Sequence, residues 1–358
     1  MQSINCIKGA TDTNVRKVRY CEISFKVCLN PQRLPMPKEI THWLIAAHVA
    51  DELKGTVLGN AVASNRYCLR LGAVFHDALY YLPEVSKIAR FLALAYQLHG
   101  TKGEDTYDIV RNLAVTAGNS NRPGPLMAFL VGVVSHIHAD ALFHPLVHSV
   151  TADYSYPGPD QKTRAIQAHR RYETLMDLYF CGGLGSLKQY SLKVYLEKAE
   201  IPPFRLLDEA LATVAREKGL PGLSYAVARA FRNFAIMQSL YKIRILSGLL
   251  YRLEPFVPCT LKEISALFYS PQLTAKLPEL SMVINYHNPL TGQALSQSLK
   301  MIFDTTVQKS AAVCRTIEPA IVHKVPLQLS ERGPSMESSP KSIAAKEASP
   351  IIVTSKRL

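Results

Sequence analysis

The chain has 358 residues, of which 48% are hydrophobic and 19% charged, and it carries a formal net charge of +13. That length and balance support a substantial buried core and exclude a low-complexity or largely disordered polypeptide. No apolar run reaches the roughly 18 residues that a membrane-spanning helix needs, and the first residues lack the apolar segment of a signal peptide.

The positive charge is not gathered in one place. Residues 1–35 hold six Lys/Arg against two Asp/Glu, and residues 311–358 hold seven against four, so the two ends supply about half of the excess. A nucleic-acid interface would cluster basic residues on a folded face, so no specific nucleic acid is expected. Weak peripheral attraction to an anionic membrane surface stays open. Cys6, Cys21, Cys28, Cys68, Cys181, Cys259 and Cys314 are irregularly spaced and form no C-x-x-C. They argue against a disulfide framework or a zinc ribbon and for a reducing, cytoplasmic compartment.

In chain order, residues 1–35 show no helical periodicity and run into the breaker "LNPQRLPMP". They read as an N-terminal extension, with Met36 a candidate natural start. "MPKEITHWLIAAHVADELKG" then shows apolar residues at helical spacing, a Thr able to cap and a Gly able to stop. "NRYCLRLGAVFHDALYYLP", "EVSKIARFLALAYQLHG", "DTYDIVRNLAVTAGN" and "PLMAFLVGVVSHIHADALFHP" follow as further helices. A polar loop, "TADYSYPGPDQKT", leads into the helical "RAIQAHRRYETLMDLYF", and "CGGLGS" reads as a hinge. This gives a helical domain over 36–185. A second helical region spans 186–310, broken at "IPPF", "EPFVP" and "SPQL". Residues 311–358, rich in Ser, Pro, Ala and Lys towards the end, are expected to be a disordered tail. With no convincing hairpin signal, the fold class is all-α.

The chemistry concentrates in "SHIHADALFHPLVH", Ser135 to His148. On a helix His136, Asp140 and His144 stand at i, i+4 and i+8; each step drifts about 40°, so the three share one face. Pro145 is expected to end or kink that helix before His148, leaving His148 as a substitute for His144. A second pair, His169 and Glu173, has the same spacing, with Asp177 a turn further on. His42 in "THW", Asp77 in "FHDAL" and His99 in "QLHGTKGED" each lie in or beside an apolar helix. Imidazole nitrogens and carboxylate oxygens are the ligands zinc takes in hydrolytic sites. Singly, any such histidine is more often a satisfied core or surface residue than a ligand, and His48, His76 and His138 are read that way. Together on adjacent apolar helices, the others would cost several kcal/mol to bury without a common partner.

The order of "THW", "GAVFHDALYY", "LHGTKGED", "HIHADALFHP" and "HRRYE" resembles the zinc-dependent phospholipase C family, which includes the bacterial phospholipases C and the catalytic part of glycosylphosphatidylinositol-specific phospholipase D. The resemblance covers Met36–Phe180 and implies an all-α domain holding two to three zinc ions in a cleft. By motif, Asp77, His99, His136 and Asp140 would hold one ion, and His144, His169 and Glu173 a second. His42 would join Asp140 at a third; in some relatives the free amino end completes that site, whereas here His42 lies well inside the chain. The implied chemistry is hydrolysis of a phospholipid or other phosphodiester. Zinc activates water and clamps phosphate oxygens, while Asp77 accepts a proton from the attacking water. Tyr80 and Tyr81 could contact a choline head group, although ordinary packing is the favoured reading of both.

Three other readings compete. An HD-type phosphohydrolase would use "FHDAL" with His76 itself as ligand, leaving His136, His144, His169 and Glu173 without a role. A related helical zinc nuclease would use much the same ligands. A metal-stabilised scaffold would hold its metal in closed, fully protein-ligated sites.

Overall fold

The computed structural model describes residues 39–82, 89–151, 159–199, 207, 211, 219, 220 and 222–336. The extension expected over residues 1–35 lies outside the described residues, as does the end of the expected tail, 337–358. The fold is all-α apart from one small hairpin. Helices α1 (Glu39–Glu52), α2 (Val57–Ser64), α3 (Arg66–Gly72) and the single turn α4 (Phe75–Ala78) precede α5 (Ala89–Leu98), α6 (Asp108–Asn119), α7 (Pro123–Thr151) and α8 (Pro159–Phe180). Gly182 and Gly183, both with positive φ, turn the chain towards α9 (Leu192–Lys198), α10 (Leu223–Tyr241), α11 (Arg244–Leu253) and α12 (Cys259–Ser265). Strands β1 (Ile284–His287) and β2 (Ala294–Gln297) and helix α13 (Leu299–His323) complete it.

Helix α7 organises the packing. It is apolar on nearly all sides, and such a helix is stable in water only when surrounded by protein. α1, α2, α3, α6, α8 and α13 pack against it. Among the described residues it is the one helix long and apolar enough to cross a membrane, yet most of it is buried within the protein. Pro145 sits inside α7 and does not end it; the helix continues to Thr151. Burial of Phe143, Leu146 and Val147 on neighbouring helices offsets the backbone hydrogen bond that proline removes.

Two glycines let α3 and α7 approach to backbone contact. A Cβ on Gly72 would lie 2.0 Å from the carbonyl oxygen of Phe129, and one on Gly132 would lie 2.2 Å from that of Leu69. The crossing sets α4, which follows α3, against the middle of α7. The cysteines Cys68, Cys181 and Cys314 are buried.

Two boundaries differ from the sequence reading. The tail does not begin at 311: α13 runs to His323, burying Ala311, Cys314, Ile317 and Ile321. The apolar period of α13 carries straight through 311, and the Ser- and Pro-rich composition starts only near Pro334. The main hydrophobic core is also continuous from Ile40 to Met336, so no gap in packing marks 185/186. The hairpin is the element that sequence patterning missed. β1 and β2 pair antiparallel with Ile284 opposite Gln297 and His287 opposite Ala294. Their turn is set by Asn288, whose side chain accepts from the Leu290 N–H at 2.9 Å, and by Gly292 at positive φ.

The crossing yields a test. Gly132→Val should lower the unfolding free energy by about 3 kcal/mol or more, because backbone rather than a flexible side chain must move. Gly185→Ala, at a position where an added Cβ meets nothing within 4 Å, should change it by less than about 0.5 kcal/mol. Urea unfolding compares them, and equal midpoints would contradict a close α3–α7 contact.

Candidate metal centre

Five elements deliver the sequence-predicted residues to one buried region: α1 brings His42, α4 Asp77, the end of α5 His99, α7 His136, Asp140 and His144, and α8 His169 and Glu173. Seven of these eight form two groups, and His42 stands outside both. Asp77, His99, His136 and Asp140 each offer one ligand atom, all within 4.8 Å of one another, and His144, His169 and Glu173 do the same. In the first group His136 Nε2 stands 3.5 Å from Asp77 Oδ1 and 3.3 Å from Asp140 Oδ2. His99 Nε2 is 3.5 Å from Asp77 Oδ1. In the second, Glu173 Oε1 is 2.7 Å from His169 Nε2 and 3.9 Å from His144 Nε2. His42 Nε2 lies 3.3 Å from Asp140 Oδ1 and 4.0 Å from Asp77 Oδ2, its ring stacked on that of His136 at 4.3 Å.

His169 and Glu173 are hydrogen-bonded to each other; the other atoms converge without pairing. Both oxygens of Asp77 and of Asp140, both nitrogens of His42, and Nε2 of His99, His136 and His144 are buried with no hydrogen-bond partner among the described residues. Buried polar atoms left this way cost roughly 1–3 kcal/mol each, more when charged. Zinc takes these donor types, and an ion among them would satisfy them at once. The residues present therefore fit the metal. Three of the imidazoles are also pre-oriented through their far nitrogen. Nδ1–H of His99 donates to the Ala95 carbonyl at 2.7 Å and that of His136 to the Ala73 carbonyl at 2.9 Å. Nδ1–H of His144 donates to the Met336 carbonyl. Each bond fixes the tautomer that turns a bare Nε2 inward.

Burial and mutual charge drive the two carboxylates of the first group apart. Burial raises the Asp77 pKa above the usual carboxylate range, outweighing His136 and His99. Burial pushes Asp140 the same way, but His136, His144 and His42 reverse it and hold Asp140 ionised far below that range. Burial would depress His136, yet Asp140 and Asp77 lift it to about 9. Burial raises Glu173 and lowers His42 and His169.

Two braces hold the ligand-bearing segments, and neither was foreseen. Asp177 on α8 accepts from the backbone N–H of Ile40 and Thr41 at 3.2 and 2.7 Å and from the Thr41 and Tyr269 hydroxyls at 2.7 Å each. It caps α1 beside His42 and joins that helix to the one carrying His169 and Glu173. Thr41 thus does not cap its own helix; it binds the cap. The second brace is a strap after α13. Met336 N–H donates to the His99 carbonyl at 3.0 Å, Thr106 Oγ1–H to the Pro334 carbonyl at 2.8 Å, and Gly333 N–H to Asp105 Oδ1 at 2.7 Å. The strap thereby lines the loop after His99 and ends on His144. A backbone carbonyl leaves no side-chain signal, so nothing in the sequence pointed to Met336.

The remaining candidates fall elsewhere. His148 is buried behind the second group, its ring centroid 4.9 Å from that of His169, and is not among the grouped ligands. His138 is buried and bonded to Tyr107 Oη at 2.8 Å and Ser310 Oγ at 3.2 Å. His48 is exposed and donates to the Leu44 carbonyl. His76 is the surprise: it is buried with neither nitrogen hydrogen-bonded among the described residues, stacked on His136 at 4.7 Å, and belongs to neither group. The HD-type reading needs His76 as a ligand, and His76 stands outside both groups. Tyr80 packs on Tyr96 and His99, and Tyr81 stacks on Phe234 at 4.1 Å.

Comparison with known families agrees with this geometry. Residues 41–216 match the family described as zinc dependent phospholipase C, and this part of the chain belongs to that family. No curated protein and no solved structure gave a match. The family is zinc-dependent, and the two buried clusters could bind two to three zinc ions. Family and clusters together support a zinc phosphodiesterase.

Two tests follow from the site. His136, lifted to about 9, is protonated at pH 7 in the metal-free chain, so a zinc ion taking its Nε2 must displace that proton. Calorimetry in buffers of different ionisation enthalpy should show proton release at pH 7 that fades well above pH 9. The sign is the same for stability without metal. The folded value exceeds the ordinary 6.5, so the contribution of charged His136 is complete below 6.5 and is lost as pH rises through about 9. The strap is tested at Gly333, where a Cβ would lie 2.1 Å from Thr106 Oγ1 and 2.5 Å from Tyr107 N. Gly333→Val should lift Met336 from His144 and weaken zinc retention against a chelator about tenfold or more. Unchanged retention would deny the strap that role.

Proposed function

We propose that the chain is a phospholipase C-like phosphodiesterase that cleaves a phospholipid on the glycerol side of its phosphate, giving diacylglycerol and a phosphorylated head group. The observation that carries the reading is the convergence of buried imidazole and carboxylate atoms from four elements, α4, α5, α7 and α8, onto two adjoining points, with His42 of α1 beside Asp140. In this reading Asp77, His99, His136 and Asp140 hold one ion, His144, His169 and Glu173 a second, and His42 with Asp140 a third. Zinc, when bound there, supplies an acidified water and electrostatic clamping of the phosphate oxygens.

The chain's own groups do the rest. Asp140, kept ionised by the histidines around it, serves as the shared anion of the cluster. Asp77 takes the proton of the attacking water on a carboxylate oxygen; of the two carboxylates it is the one whose proton affinity is raised overall, burial outweighing its imidazole neighbours. The helices packed around α7 exclude bulk water from the ligand side, which strengthens every charge interaction there. A purely structural metal site is closed by four protein ligands, whereas in this reading Asp140 is shared between two ions and the second and third ions, with three and two protein ligands, keep positions for water or substrate. We also place the chain in a reducing compartment, in keeping with the buried free thiols of Cys181 and Cys314.

The experiment is hydrolysis of phosphatidylcholine by the zinc-loaded chain, with both products identified. Phosphocholine and diacylglycerol should appear, vanish with chelator and return with zinc. Asp77→Asn should lower kcat by about a hundredfold or more. Release of free choline with phosphatidic acid, or no cleavage of any phosphodiester by the loaded chain, would overturn the reading.

A further inference from the structure

Helix α11 is apolar on two faces and packs only one. Leu246, Leu250 and Tyr251 lie against the core, and Ser247 is fully buried. The other face presents Ile245, Leu249 and Leu253 at i, i+4 and i+8, within about 80° of one another, and all three are exposed. Ile245 is 86% exposed, and Phe256, held in the rigid "EPFVP" turn after the helix, is 85% exposed. Gly248, on the flank of that face, has nothing within 4 Å of an added Cβ.

The charge around this face has one sign. From Leu223 to Leu253 the sequence carries Arg229, Arg232, Lys242, Arg244 and Arg252 and no Asp or Glu. Arg244 and Arg252 are exposed, and Arg252 lies about 20° outside the apolar stripe, on its Ile245 edge. The first acid, Glu254, is taken by Arg171 at 2.6 Å, and that guanidinium also sits 5.1 Å over the Tyr251 ring. Arg171 lies on α8, two residues beyond His169, so the face is tied directly to the helix that carries the second cluster.

We propose that the exposed face of α11, with Phe256, is a docking surface for an anionic phospholipid bilayer; this rests on the reading of the chain as a phospholipid hydrolase. Leucine and isoleucine at helical spacing flanked by arginine suit an interface in which the apolar side chains enter the acyl boundary and the guanidinium groups meet lipid phosphates. Water-soluble partners explain it less well. A second copy would bring Arg252 against its own counterpart, whereas an anionic lipid surface complements it. Docking there would hold the second cluster close to the lipid from which substrate is drawn.

The test uses the full chain, zinc-loaded, with vesicles of phosphatidylcholine alone or mixed with phosphatidylserine. Sedimentation should show binding that strengthens with phosphatidylserine and weakens with salt. Arg244→Gln with Arg252→Gln should lose about fivefold per arginine on the mixed vesicles. Ile245→Ser with Leu249→Ser, and separately Phe256→Ser, should lose at least tenfold on them. Turnover of a short-chain, monomeric phosphatidylcholine serves as the fold control and should match the parent in every variant. Variants that bind like the parent, a parent that binds neither vesicle, or a dimer abolished by the same substitutions would overturn the docking surface. If vesicles bind as expected but no lipid is cleaved, the docking surface stands and the hydrolase reading fails.

Discussion

A carboxylate buried at the centre of an apolar helix is the constraint from which the rest of the architecture follows. Asp140 is fully enclosed, has no hydrogen-bond partner among the described residues, and is kept ionised by imidazoles at its two oxygens. A lone carboxylate in that position would neutralise itself by taking up a proton. Here it is retained as an anion because His136 and His42 face its two oxygens, and because a cation among the surrounding atoms would complete the balance. The neighbouring helices are arranged to make that possible: α4 and α5 bring Asp77 and His99, α1 brings His42, and α8 supplies the second group one helical turn further along α7.

Holding so many unsatisfied groups together demands unusually tight scaffolding. The paired glycines of α3 and α7 remove the side chains that would keep Asp77 away from His136. Asp177 fixes the start of α1, one residue before His42, with three hydrogen bonds and takes a fourth from Tyr269. These contacts involve backbone or fully buried side chains, where geometry is least forgiving. A site whose ligands repel or desolvate one another must be over-determined by its surroundings, and these braces supply that.

What was legible in the sequence was local. The i, i+4, i+8 spacing of His136, Asp140 and His144 and the i, i+4 spacing of His169 and Glu173 place side chains on one helix face by covalent geometry alone, so pattern suffices. The burial of the helices could also be read, because an apolar surface must be covered. Contacts made by main chain across long separations were not legible: the Met336 carbonyl on His144, or the close approach of Gly72 to Phe129. The hairpin escaped because its strands are four residues each and half exposed, too short for alternation to register. The boundary at 311 failed because a Ser- and Pro-rich end was averaged with the last turns of a regular helix. His76 was read as an ordinary core or surface residue, and it is buried as a core residue would be, but with its nitrogens unmet. Sequence pattern reports the class of a side chain and is silent about whether a partner reaches it.

The strap after α13 shows why the second half of the chain belongs with the first. Residues 299–323 pack on α7 and α1, and the segment that follows bonds to the backbone of His99 and to the ring of His144, one residue from each cluster. The two clusters therefore share a common outer support as well as a common helix. A cation bound at one would tighten His99 or His144, and through Met336 the same strap would feel both. Because the strap is held by Asp105, Thr106 and Arg111 on the far side, such tightening would be resisted by neutral and charged hydrogen bonds rather than by loose packing. The fold thus couples metal ligation, the α5–α6 loop and the C-terminal helix through one run of backbone, and the described length of the chain is accounted for by what it keeps in place.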